Sequence, residues 1–202
     1  MSAAGEDVGA CDWWPAAGRS ESPNQDARPS GMQPELIVVH AISLPPGEFG
    51  GPHVEALFHN RLDPAAHPFF AGIRDLRVSA HVFIDRAGRA TQFVPFSRRA
   101  WHAGVSAWRG RERCNDFSIG IELEGDDHTP FTAVQYAELA ALIRWLREHF
   151  PAIAADALAG HSDIAPGRKT DPGPCFDWDR LHALLGSLEP SPPGESTPGA
   201  SR

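Results

Sequence analysis

The chain has 202 residues, enough for one domain with a full apolar core. Apolar residues make up 42% and charged residues 22%, the balance of a soluble globular protein. The formal net charge of -8 argues against a general nucleic-acid surface, and no apolar run approaches the ~20 residues of a membrane span.

Residues 1–21 read as a mobile extension, with Trp13 and Trp14 available to anchor it. The first residues lack the basic region and apolar core of a signal peptide, so a cytoplasmic protein is expected. Residues 22–28 read as an extended segment lying on the domain. Residues 35–40 form a short apolar run with two valines, which predicts a strand buried on both faces. A loop over 41–52 and a short helix over 54–60 follow. Residues 61–72 are expected to be loop, broken by Pro64 and Pro68. Residues 78–84 and 90–94 read as a hairpin around the turn Asp85-Arg86-Ala87-Gly88-Arg89. Residues 95–113 look irregular.

Residues 117–124 alternate. Phe117, Ile119, Ile121 and Leu123 share one face, and Ser118, Gly120, Glu122 and Glu124 the other. The clearest helix covers 132–150. Thr132 and Gln135 match a capping box, and Leu139, Leu142, Ile143, Leu146 and Phe150 recur at helical spacing ahead of Pro151. A short strand is expected over 157–159. Residues 160–173 are interrupted by Pro and Gly, so no helix or strand is expected to run through them. Asp177 caps a last helix with the stripe Trp178, Leu181, Leu184, Leu185 and Leu188. The Pro/Ser/Gly-rich residues 189–202 read as a disordered tail. The order predicts an α/β (α+β) fold, a mixed central β-sheet flanked by helices, in one catalytic domain over 22–188.

The chemistry concentrates in residues 160–173, which hold His161, Lys169 and Asp171. A catalytic zinc site needs three protein ligands and leaves its fourth place to water. His40, at the end of a buried strand, supplies the third. Taken singly, either histidine is more often structural and Asp171 could simply start a turn. Together they point to one zinc ion per chain, held by His40, His161 and Asp171. Glu122, beside Gly120, is placed to take a proton from the attacking water and return it to the leaving amine. Its bland alternative is an exposed strand glutamate, the role assigned to Glu124. Lys169 can stabilise a developing oxyanion, or be a solvated loop lysine. Arg77 and Arg113 could grip an acidic substrate group, although read from sequence alone each is a surface charge. His81 and His102 read as structural or as orienting other groups. His53, His59, His128 and His182 read as incidental. Cys175 is a rival soft ligand, but a free structural cysteine fits it better. With Cys11 and Cys114 it makes an odd set without zinc-type spacing, so no disulfide framework is expected.

These residues also carry a resemblance. Val38-Val39-His40 with Leu44-Pro45-Pro46-Gly47-Glu48-Phe49-Gly50-Gly51 is similar to the first motif of the zinc N-acetylmuramoyl-L-alanine amidases. Further matches are Leu76-Arg77-Val78-Ser79-Ala80-His81, Trp101-His102-Ala103-Gly104, the run from Arg113-Cys114-Asn115 to Glu122-Leu123-Glu124, and Arg168-Lys169-Thr170-Asp171-Pro172-Gly173. The resemblance implies a single domain shared with peptidoglycan-recognition proteins, with zinc on His40, His161 and Asp171. It also implies catalytic Glu122 and Lys169, and substrate contacts from Arg77 and Arg113. The implied reaction is cleavage of the amide between 1,6-anhydro-N-acetylmuramic acid and L-alanine of muropeptides in cell-wall recycling, by a cytoplasmic monomer. Two positions depart from the pattern. Ala41 stands where asparagine is usual, and Phe69 where tyrosine is. They motivate one rival, a muropeptide-binding sensor with little or no turnover. A second rival, an amidase of polymeric peptidoglycan, is disfavoured by the missing signal peptide.

Overall fold

Two apolar stretches far apart in the chain form the centre of the sheet. In the computed structural model, which describes residues 12–186, the elements run β1 (Gly18–Arg19), β2 (Gln25–Ala27), β3 (Leu36–Ile42), α1 (His53–Phe58), α2 (Pro68–Ile73), β4 (Val82–Ile84), β5 (Ala90–Gln92), β6 (Arg98–Ala100), β7 (Ala107–Trp108), β8 (Arg111–Glu112), β9 (Ser118–Glu124), α3 (Ala133–His149), β10 (Leu158–Gly160), α4 (His161–Ile164) and α5 (Trp178–Gly186). A mixed six-stranded sheet has the order β1-β5-β4-β9-β3-β10. β3 lies parallel to both β9 and β10, and β4 is parallel to β9 but antiparallel to β5.

Alternation decides what each face does. Ile37, Val39, Ile119, Ile121 and Leu123 point toward α3, whose Leu139, Leu142, Ile143 and Leu146 close the main core over them. Burying each such side chain stabilises the fold by about 1.5–3 kcal/mol. Leu36 and Val38 pack in a second cluster with Phe117, Ala159 and Ile164. Phe117 therefore does not continue the α3-facing row: it sits in the turn before β9, with the Arg111 guanidinium 4.0 Å over its ring. At the start of α3, Thr132 Oγ1 accepts the Gln135 N–H and Gln135 Oε1 accepts the Thr132 N–H. Gln135 Nε2 also donates to the Glu124 carbonyl, so this cap joins the helix to the end of β9.

Several expectations are corrected. Pro68 begins a helix where a loop was expected: it occupies the first turn of α2, where its missing N–H costs nothing, and His67 Nδ1 accepts the Phe69 N–H. Residues 95–113 contain β6, paired with β2, and the β7–β8 ribbon. One turn of helix, α4, opens the 160–173 segment. The expected domain boundary at residue 22 falls inside packed structure, because Trp14 is buried and β1 pairs with β5. Residues 1–11 of the expected extension, Leu188 and the 189–202 tail lie outside the described residues. The 22–28 segment does lie along the domain as β2, and Arg28 reaches inward. Its guanidinium donates to the carbonyls of Phe96, Asn115, Asp116 and Ser118. Burial pulls its pKa down to about 10.

Candidate metal centre and active site

The sheet register assembles the site. β3 pairs with β9 so that His40 stands opposite Glu122, and β10 runs beside β3 until Gly160 pairs with Val39. His161 follows immediately. All three residues thus reach the carboxyl ends of neighbouring parallel strands, the usual place for a binding crevice. Asp171 is brought in by its own loop, where the Ser162 N–H donates to the Asp171 carbonyl. A Cβ on Gly160 would lie 2.8 Å from Pro172 Cδ, so only glycine lets that loop close.

His40 Nδ1, His161 Nδ1 and Asp171 Oδ2 form a triangle with sides of 2.9, 3.1 and 3.0 Å. The three ligand atoms lie within the range that one metal ion spans. Donors about 2.0–2.1 Å from a tetrahedral ion are about 3.3 Å apart, so the triangle is close to the required size. The outer nitrogens point the same way. His161 Nε2 lies 3.2 Å from the Ala103 carbonyl and must carry a proton to bond it, which leaves Nδ1 with its lone pair inward. Three acceptors facing one point without a donor between them suit a cation. The residues therefore fit the metal that the sequence implied.

Electrostatics agree with this geometry. Burial pulls the His40 imidazole down to about 4, against the pull of Asp171. Burial pushes the Asp171 carboxyl up, but the His161 and His40 imidazoles packed against it outweigh that and hold the group well below the usual carboxylate range. Glu122 is shifted the other way. Burial and then the Asp171 charge raise it well above its ordinary value, with Lys169 opposing. Glu122 Oε2 is buried without a hydrogen-bond partner.

Glu122, Lys169 and all three candidate ligands except His40 border a cavity of about 170 Å³, whose wall includes Leu57, Leu76 and Val78. Arg168 borders two larger cavities of about 510 Å³ each. One shares Ala41, Lys169 and Asp171 with the first; the other is lined by Val105, Glu112, Arg113 and Pro166. Arg113 pairs with Asp116 at 3.1 Å and is otherwise exposed. The Arg77 guanidinium donates to the carbonyls of Arg74 and Leu76 rather than pointing into the small cavity.

Other expectations change here. Glu124 is 4% exposed, not a solvated strand residue: its carboxylate accepts the backbone N–H groups of Gly50 and Arg86. Cys175 lies against the Asp127 carbonyl and is not part of the candidate metal cluster. A strand glycine such as Gly120 can leave space for a ligand or another backbone, but the structure uses it otherwise. The ring of His102 fills the space, and a Cβ there would meet its Nδ1 at 2.5 Å. Sequence reasoning missed Arg168 and Asn115. Arg168 Nη2 donates to the carbonyls of Ala103 and Val105, and Asn115 Oδ1 accepts the N–H groups of His102 and Ala103. Neither residue has a periodicity or ligand spacing that could have flagged it.

With fold and site in place, the family profile described as N-acetylmuramoyl-L-alanine amidase matches residues 30–174. The chain belongs to the N-acetylmuramoyl-L-alanine amidase family. The 1,6-anhydro-N-acetylmuramyl-L-alanine amidase AmpD of Enterobacter cloacae is 60% identical over 173 residues, 86% of this chain and 92% of the relative. The protein of that name from Escherichia coli K12 is also 60% identical, over 86% of this chain and 94% of the relative. A crystal structure of a selenomethionine AmpD derivative matches with a TM-score of 0.84 and 59% identity, covering 86% of this chain and 97% of that one. The more distant E. coli amidase AmiD was solved with its substrate anhydro-N-acetylmuramic acid-L-Ala-D-γ-Glu-L-Lys. It matches with a TM-score of 0.55 and 31% identity, over 78% of this chain and 60% of that one. The mixed sheet flanked by helices is thus the amidase fold. No helix among the described residues is long and apolar enough to cross a membrane.

Proposed function

We propose that this amidase hydrolyses the amide between 1,6-anhydro-N-acetylmuramic acid and the L-alanine of muropeptides, using one zinc ion held by His40, His161 and Asp171. The carrying observation is the triangle of three inward-facing acceptors beside an unpartnered buried carboxylate, in a chain 60% identical to amidases named for that reaction.

A zinc ion in that triangle would supply Lewis acidity toward the scissile carbonyl and the attacking water. The protein does the rest. Glu122 lines the same cavity as the triangle and has no competing hydrogen bond on Oε2. It takes the proton of the attacking water, and its burial makes it basic enough to hold that proton and deliver it to the departing L-alanine nitrogen. Lys169 borders the same cavity from the loop carrying Asp171 and offers a positive charge to the carbonyl oxygen as the tetrahedral centre forms. Leu57, Leu76 and Val78 give this corner an apolar wall. Arg113 lines a large cavity that shares no residue with the small one and is a candidate to hold a substrate carboxylate; Arg77, beside Leu76, is the second such candidate. A soluble fragment as substrate accords with the cytoplasmic recycling role and with a monomer.

The test combines metal analysis with product identification. Anhydromuropeptide is incubated with protein as purified, after chelator treatment and after zinc is returned. Near-stoichiometric zinc, loss of turnover on stripping, recovery on reloading, and anhydromuramic acid plus free peptide as products are expected. Full turnover by stripped protein would remove the metal role. Binding without cleavage by the zinc-loaded protein would favour the sensor reading, and faster release from intact sacculi than from soluble fragments would favour the polymer-directed one.

A further inference from the structure

The candidate ligands need a defined proton arrangement. Each histidine must present Nδ1 without a proton, so each must carry its proton on Nε2. One short loop, residues 101–104, meets both Nε2 atoms. His40 Nε2 lies 2.9 Å from His102 Nδ1, and His102 Nε2 lies 3.2 Å from Ser118 Oγ. Ser118 Oγ donates at 2.6 Å to the Cys114 carbonyl, which can only accept. That last acceptor sets the direction of the whole chain. The Ser118 hydroxyl proton is committed to Cys114, so its oxygen accepts from His102 Nε2–H. His102 Nδ1 is then bare and accepts from His40 Nε2–H, which leaves His40 Nδ1 bare toward the site. The next residue of the loop does the same for the other ligand, the Ala103 carbonyl accepting from His161 Nε2–H.

The loop itself is held in place by two features. Asn115 Oδ1 accepts the N–H groups of His102 and Ala103, at 3.1 and 2.8 Å. Gly120 leaves the slot in which the His102 ring lies against β9. We propose that loop 101–104, anchored by Asn115, is a tautomer clamp, with His102 and the Ala103 carbonyl as positioning groups that hold both candidate zinc histidines in their Nδ1-ligating form. The inference rests on the metal reading above, and it gives a role to His102, which borders the small cavity but is not one of the candidate ligands.

The decisive experiment is long-range proton–nitrogen correlation NMR on zinc-loaded protein labelled with 15N-histidine. His40 and His161 are expected as Nε2–H tautomers bound through Nδ1, with His102 also protonated on Nε2. A proton on Nδ1 of His40, His161 or His102 would overturn the clamp. Zinc competition against a chromophoric chelator adds a second readout. H102L removes the acceptor and is expected to weaken zinc binding by about 10–100-fold, whereas H102N keeps an acceptor oxygen near the Nδ1 position and is expected to restore most of it. Unchanged affinity in folded H102L, or equal losses in both variants, would refute the positioning role. Wild-type protein that takes up no zinc would sink the metal reading instead, and the histidine tautomers of that metal-free sample would still decide the clamp.

Discussion

Replacing Gly120 with alanine isolates the packing that holds His102. Gly120 has no left-handed backbone requirement, so the effect of a methyl group there is steric. The added Cβ would lie 2.5 Å from His102 Nδ1 and 2.6 Å from Cδ2, well inside contact distance. The ring has little freedom to retreat. His40 Nε2 holds one edge at 2.9 Å and Ser118 Oγ the other at 3.2 Å, and the His81 ring lies 5.9 Å behind. Overpacking costs about 1–3 kcal/mol, and a buried imidazole that loses its partners costs a further 1–3 kcal/mol or so. The expected destabilisation is therefore about 2–6 kcal/mol, measured by urea unfolding of metal-free protein. Zinc affinity should fall in step, because His40 loses its orienting partner. If G120A unfolds within about 0.5 kcal/mol of wild type, the range of an innocuous surface change, and binds zinc as tightly, the slot does not control His102.

E122Q should retain zinc and lose on the order of 10²–10⁴-fold in kcat; wild-type turnover would remove Glu122 from proton transfer. T132A deletes one half of the capping box and should cost about 1 kcal/mol, read as a lower unfolding midpoint with kcat unchanged. His81 makes the domain acid-sensitive. Its Nδ1 accepts the Gly120 N–H, its Nε2 bonds the Arg98 carbonyl, and Arg28 Nη2 lies 3.2 Å away, so a second proton has no place. Burial, then the Arg28 charge, pulls its pKa from 6.5 to about 3. The unfolded chain then binds more protons than the folded one below pH 6.5. The contribution is fully present above that pH and is lost as pH falls from 6.5 toward 3, at about 1.4 kcal/mol per unit. H81N should show a stability–pH slope shallower by about one proton in this window, and identical slopes would assign the acid sensitivity elsewhere.

Local pattern was enough for the elements with strong periodicity. β9 reads from its alternation, α3 from its capping box and leucine spacing, and the β4–β5 hairpin from its turn. It failed where a residue has two meanings: Pro68 breaks a helix interior but starts α2, and Glu124 looks solvated until Gly50 and Arg86 claim its carboxylate. Short strands such as β6 and β7 have too few residues to show a period, and they exist because β2 and β8 lie beside them.

The sequence by itself determined the sheet's central strands, its main helix and the types of group available for chemistry, because side-chain periodicity and donor chemistry are local properties. Only the tertiary structure decided that His40 and His161, 121 positions apart, meet at 2.9 Å, that Gly120 houses His102, and that Asn115 and Ala103 stand behind the histidines. Those relations follow from the register of parallel strands and from backbone carbonyls, which every residue possesses and no pattern of side chains announces.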